Sequence, residues 1–116
     1  MRILIVGSGG REHALAKALA QSPRTEALYT APGNPGTAQV GTNVDCASDN
    51  LDGLVALAQK EDIDLTVVGP EQPLVDGIVD RFEEAGLRIV GPTAAAARLE
   101  GSKAFADQFM ARHDIP

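Results

Sequence analysis

The chain has 116 residues, 44% of them hydrophobic and 22% charged, with a formal net charge of -6; that allows one core, burying roughly 60 to 70% of the surface the unfolded chain exposes, and argues against a disordered chain. The absence of any Lys/Arg run in an acidic chain argues against nonspecific binding to nucleic acid or anionic lipid, and the lone Cys46 excludes an internal disulfide and a cysteine-based metal cluster. No window approaches the ~18 continuous apolar residues of a membrane span and the apolar start lacks a signal peptide's cleavage pattern, so the expected setting is cytoplasmic, with no membrane partner.

Ile3, Leu4, Ile5 and Val6 run without alternation, as in a strand covered on both faces of a parallel sheet. Gly7, Gly9 and Gly10 follow directly, so the backbone turns sharply into a helix start, an anion-binding shape. Leu15, Ala18, Leu19 and Ser22 then fall at helical spacing until Pro23 stops the pattern. Ala27 to Thr30 reads as a second strand, and Ala31 to Gly36, with two prolines and two glycines, as a rigid loop without regular structure. Thr37 to Ser48 fits short strands or an extended connection, and Cys46 within it reads as a small filler rather than a nucleophile.

Asp49 is a plausible N-cap for a second helix through Leu51, Leu54, Val55 and Ala58, ending in the polar run Gln59 to Asp62. Asp64 to Val68 is the next strand, closed by Gly69-Pro70. Val75, Ile78, Val79 and Phe82 give a third helix with Gly86 at its end. Leu87 to Val90 is a further strand, closed by Gly91-Pro92. Thr93 can cap an alanine-rich helix through Leu99, and Ser102 another from Lys103 to about His113. Repeated strand-helix alternation predicts an α/β fold, a Rossmann-like, doubly wound, mostly parallel sheet. The domain boundary is expected at Glu100 to Ser102.

In such a sheet, ligands sit beyond the carboxyl ends of the strands. Three loops of unusual composition fall there: Gly7 to His13, Pro32 to Gly36, and Gly69 to Leu74. Arg11 could pair with a phosphate and Glu12 could accept from an amine or sugar hydroxyl; surface capping and polar filling are the structural alternatives for Glu12 and His13. Pro70 and Pro73 leave Glu71 and Gln72 projecting at a strand end. Lys103 could contact a nucleotide phosphate. The first loop has the G-x-G of a dinucleotide fingerprint, but Glu12 stands where its third glycine belongs, and the acidic residue expected after the second strand is missing. A nicotinamide-binding domain of an oxidoreductase is therefore a runner-up, beside a non-catalytic acidic α/β binding module. A P-loop is excluded, since no G-x-x-x-x-G-K-[ST] occurs.

Taken together, Ile5-Val-Gly-Ser-Gly-Gly-Arg-Glu-His-Ala14, Ala31-Pro-Gly-Asn-Pro-Gly-Thr37, Val68-Gly-Pro-Glu-Gln-Pro-Leu-Val-Asp-Gly77, Gly91-Pro92 and Gly101-Ser-Lys-Ala-Phe105 resemble the N-terminal region of the phosphoribosylamine-glycine ligases, or glycinamide ribonucleotide synthetases. The resemblance covers essentially the whole chain. It implies a purine-biosynthetic ligase of the ATP-grasp superfamily that joins glycine to 5-phosphoribosylamine with ATP and Mg²⁺, through glycyl phosphate. It further implies that residues 1–100 form a Rossmann-like lobe preceding the ATP-grasp domain, and that 101–116 begin that domain. Gly9, Gly10, Arg11, Glu12, Pro32, Gly33, Asn34, Gly36, Glu71 and Gln72 would then face the substrate, and Lys103 would contact ATP. The family extends far beyond this length, so the remainder of the same polypeptide is an expected partner. Catalytic and metal-binding residues are expected beyond Pro116, and the 116-residue piece is expected to be inactive alone.

Overall fold

The computed structural model describes residues 1–91. Its sheet is parallel and five-stranded, in the order β3-β2-β1-β4-β5. The strands are β1 (Arg2–Gly7), β2 (Ala27–Pro32), β3 (Thr42–Asn43), β4 (Leu65–Val68) and β5 (Ile89–Val90). β1 is central, running beside β2 from Arg2↔Ala27 to Gly7↔Pro32 and beside β4 from Ile3↔Leu65 to Val6↔Val68. The unbroken apolar run of β1 is explained by burial on both faces. Ile3 and Ile5 pack with Leu65 and Val67 against Leu15, Ala16, Ala18 and Leu19 of helix α1 (Gly10–Ala20). Leu4 and Val6 pack with Val68 on the opposite face, against Leu54 and Ala58 of α3 (Leu51–Lys60) and Ile78 and Phe82 of α5 (Ile78–Glu84). Helices thus cover both faces of a Rossmann-like α/β sheet, as the alternation predicts.

Three elements differ from the sequence reading. The proline-rich second loop does not lack regular structure: α2 (Pro35–Val40) starts inside it, with Asn34 as N-cap and Pro35 in the first turn, where its missing N–H costs nothing. The third helix is broken. A short α4 (Gln72–Val75) precedes α5, and Gly77, at φ +93°, turns the chain between them. Val75 consequently lies off the buried face and is 79% exposed. The cap of α3 is Asn50 rather than Asp49, its Oδ1 accepting from the Gly53 N–H at 3.0 Å.

The expected helices Thr93 to Leu99 and Lys103 to His113, together with the domain boundary, lie outside the described residues. Among the described residues, no helix is long and apolar enough to cross a membrane.

Candidate functional site

Because every strand is parallel, the ends of β1, β2 and β4 open on the same edge of the sheet. The strand order reverses between β1 and β4, since the chain moves outward through β2 and β3 and then crosses to the other side of β1. This is the switch point at which a ligand crevice forms in such sheets. Backbone bonds tie the three strand ends together: the Gly33 N–H donates to the Gly7 carbonyl and the Gly69 N–H to the Val6 carbonyl, both at 3.0 Å.

Side chains complete the junction. Glu12 is 6% exposed, and its Oε1 accepts from the Gly9 N–H at 3.4 Å. Its carboxylate lies directly against the Cα atoms of both Gly7 and Gly69, leaving no room for a Cβ at either, and Gly7 also takes φ +135°. Glu12 therefore occupies the space between the first and third loops, where the dinucleotide fingerprint would place a glycine. Arg11 is exposed and reaches across the same gap, its Nη1 donating to the Gly69 carbonyl at 3.5 Å.

The second loop is pinned to the first by Asn34, whose Nδ2 donates to the carbonyls of Ser8 at 2.9 Å and Gly9 at 3.1 Å. Its Oδ1 accepts from the Thr37 N–H at 2.9 Å, and the Thr37 hydroxyl accepts from the Asn34 N–H at 2.8 Å. Asn43 buttresses this turn, its Oδ1 accepting from the Thr37 hydroxyl at 2.6 Å and its Nδ2 donating to the Asn34 carbonyl at 2.8 Å. Gly33, at φ +78°, lies under the Asn43 and Thr37 side chains. Gly36 lies under the His13 ring, so His13 joins α1 to α2.

Of the residues singled out from sequence, Gly9, Gly10, Arg11, Glu12, Pro32, Gly33, Asn34 and Gly36 thus meet at one junction. Glu71 and Gln72 are exposed at the end of β4, where Gln72 Nε2 donates to Asp76 Oδ1 at 2.9 Å. Lys103 lies outside the described residues. Thr37, Asn43 and Gly69 were not singled out. The spacing Asn34-Pro-Gly-Thr37 was a usable signal, since a capping side chain three residues before a hydroxyl marks a helix start. Cys46 is half-buried, and burial, then the Asp45 charge, pushes its thiol up, away from a reactive thiolate. Among the described residues, no group of three or more His, Cys, Asp or Glu could hold a metal ion.

The junction therefore presents exposed glycine backbone at the start of α1, one guanidinium, and a carboxylate and an amide beyond β4. That set suits an anionic, hydroxylated small molecule. Residues 1–100 match the family model described as phosphoribosylglycinamide synthetase, N domain. The chain belongs to that family. It is 64% identical to a phosphoribosylamine-glycine ligase of Xanthomonas campestris pv. campestris, matching over all of this chain and 27% of that protein. A ligase of the same name from Yersinia pestis is 61% identical, again over all of this chain and 28% of its own length. The crystal structure of a phosphoribosylamine-glycine ligase from Thermotoga maritima superposes with a TM-score of 0.53 and 31% identity, covering 98% of this chain and 25% of that one. The chain therefore spans about a quarter of the length of these relatives and corresponds to their N-terminal part.

Proposed function

We propose that this chain is the N-terminal lobe of an ATP-dependent ligase that joins glycine to 5-phosphoribosylamine in purine biosynthesis, and that the junction of its three loops holds the phosphoribosylamine. The observation that carries the proposal is the convergence of the glycine corner, the Asn34 turn and the Gly69 strand end on one sheet edge, in a chain of this family.

The roles follow from the chemistry of each group. Arg11, with the Gly10 N–H, meets the 5-phosphate, since an exposed guanidinium at a helix start suits a dianion, and Gly9, whose N–H goes to Glu12, shapes the corner. Glu71 and Gln72 meet ribose hydroxyls, offering one acceptor-only group and one amide that both donates and accepts. Pro32, Gly33 and Gly36 keep the second loop close to the first. Glu12 holds the crevice floor in shape.

In the reaction, the carboxylate of glycine takes the γ-phosphoryl group of ATP, giving glycyl phosphate and ADP. The amine nitrogen of phosphoribosylamine then attacks the acyl carbon, the C–N bond forms and phosphate leaves. No described cluster fits the Mg²⁺ that such a phosphoryl transfer uses. This lobe's part is to bind and orient the amine-bearing sugar phosphate. Contact with ATP falls to Lys103 and to the polypeptide beyond residue 116, in an ATP-grasp domain beginning near residue 101.

The test is ADP formation by the full-length chain. Turnover that needs both glycine and phosphoribosylamine supports the reading, with none from the 116-residue piece. ADP release indifferent to phosphoribosylamine, or ligation by the isolated piece, contradicts it.

A further inference from the structure

Glu12 is buried, at 6% exposure, yet poorly satisfied. Its Oε1 has one donor, the Gly9 N–H, at 3.4 Å, longer than the roughly 2.7–3.2 Å of a strong N–H···O bond. Among the described residues, Oε2 has no hydrogen-bond partner and the carboxylate makes no ion pair. Arg11 beside it gives its Nη1 to the Gly69 carbonyl instead. The start of α1 favours a negative charge, but an exposed carboxylate would gain that benefit without the cost of burial. A charge buried with so little compensation opposes folding, so the fold alone gives no reason for it.

The space above that carboxylate is open. Gly9 takes φ -95° and ψ -177°, extended backbone that any residue adopts. Among the described residues, a Cβ added to Gly9 would meet nothing within 4 Å beyond its chain neighbours except the two Glu12 carboxylate oxygens, both at 3.8 Å. Neither conformation nor packing therefore requires glycine here, in contrast to Gly7 and Gly69, and serine or asparagine would cap α1 better. What the missing side chain leaves is a slot at an exposed residue, with both carboxylate oxygens as its floor. Such a floor accepts hydrogen bonds and donates none, so the slot suits a neutral or cationic donor and repels an anion.

Resting on the phosphoribosylamine reading above, we propose that the slot over Gly9 receives the substrate's 1-amino group: Glu12 Oε2 accepts one of its N–H bonds, and the charge of the carboxylate rejects sugar phosphates with an anionic group at C1. With the phosphate given to Arg11 and the ribose hydroxyls to Glu71 and Gln72, the amine is the donor left over. Arg11 reaches the Gly69 carbonyl and Glu12 lies against the Gly69 Cα, so opposite charges stand side by side at this strand end, one for each charged or polar end of the substrate. Glu12 is then a specificity-determining residue as well as the floor of the crevice.

The test uses Glu12→Gln and Gly9→Ser in the full-length chain. Glu12→Gln keeps the size of the side chain and an oxygen for the Gly9 N–H but removes the charge. Gly9→Ser fills the slot with a residue favoured at a helix start. Each should raise the KM for phosphoribosylamine about ten-fold, as for loss of one charge-assisted hydrogen bond, and leave the KM values for glycine and ATP within about two-fold of wild type. Neither should lower Tm, since the glutamine removes an uncompensated charge and the serine caps α1. In direct binding, wild type should prefer ribose 5-phosphate to ribose 1,5-bisphosphate, and Glu12→Gln should narrow that preference roughly ten-fold or more. An unchanged phosphoribosylamine KM in either variant, a rise shared by all three substrates, a lower Tm in either variant, or an unchanged preference overturns the proposal. A wild-type chain with no phosphoribosylamine-dependent turnover would instead sink the ligase reading. The binding preference then decides the slot alone: narrowing in Glu12→Gln supports it, and no change, or no binding of either sugar phosphate, overturns it.

Discussion

Glu12 shows how one side chain can define a crevice. Its carboxylate sits against two glycines from different loops, and only the absence of a Cβ at Gly7 and Gly69 makes room for it. Gly69→Ala should therefore destabilise by about 1–3 kcal/mol, the usual range for overpacking a filled site. Glu12→Ala should remove most of that penalty in the double variant, so a double-mutant cycle in urea should give a coupling above about 1 kcal/mol. Additive losses would mean that the two residues do not share the space. Thr66 is a second single-residue case. Its hydroxyl is fully buried with no hydrogen-bond partner among the described residues, so Thr66→Val should raise stability by about 1 kcal/mol. A loss of that size would show that the oxygen is paired in solution. The glycine corner was legible from Gly7, Gly9 and Gly10, because three glycines after an apolar strand have few other uses. The site of the Glu12 carboxylate was not, since it depends on Gly69 arriving beside it from a strand distant in sequence.

The strands were the easiest elements to read, because β1 and β4 are short apolar runs buried on both faces. The helices were read less well where proline and glycine punctuate them. In α2 the prolines signalled a break, whereas Pro35 in the first turn behind an Asn34 cap favours a start. In α4 and α5, Val75, Ile78, Val79 and Phe82 fit one helical stripe, but Gly77 interrupts it and rotates Val75 out. Two substitutions separate the two arrangements. Phe82→Ala, at a fully buried ring in the core beneath α5, should cost about 3–5 kcal/mol. Val75→Ser should change stability by less than about 0.5 kcal/mol, as for other exposed positions. Comparable losses at both positions in chemical denaturation would restore the single helix.

Across the whole molecule, the two ends of the sheet have different duties. At the amino ends of the strands, the Met1 amine donates to the Arg24 carbonyl and to Glu26 Oε1, both at 2.7 Å. The Arg2 guanidinium donates to the Glu61 carbonyl at 2.6 Å and to the Tyr29 hydroxyl at 2.9 Å. The hydrogen bond and charge of the amine hold the Glu26 carboxyl below its usual range. A depressed carboxyl favours the folded state above its unfolded pKa, and the benefit fades as pH falls through the folded value. Glu26→Gln should therefore lower Tm slightly at neutral pH and not at all once the pH is acid enough to protonate this carboxyl in the folded state too, the effect being small because the side chain is 73% exposed. An equal difference at both pH values would remove Glu26 ionisation from the account.

At the carboxyl ends, the same sheet gathers glycine backbone, Arg11 and the Asn34 turn around the switch point. Changing Arg11 to Ala in the full-length chain, and measuring KM separately for phosphoribosylamine, glycine and ATP, tests this division most directly. Loss of a charge-assisted phosphate contact should raise the phosphoribosylamine KM ten-fold or more, roughly, and leave the other two within about two-fold. An unchanged phosphoribosylamine KM would contradict the assignment of this sheet edge to the sugar phosphate.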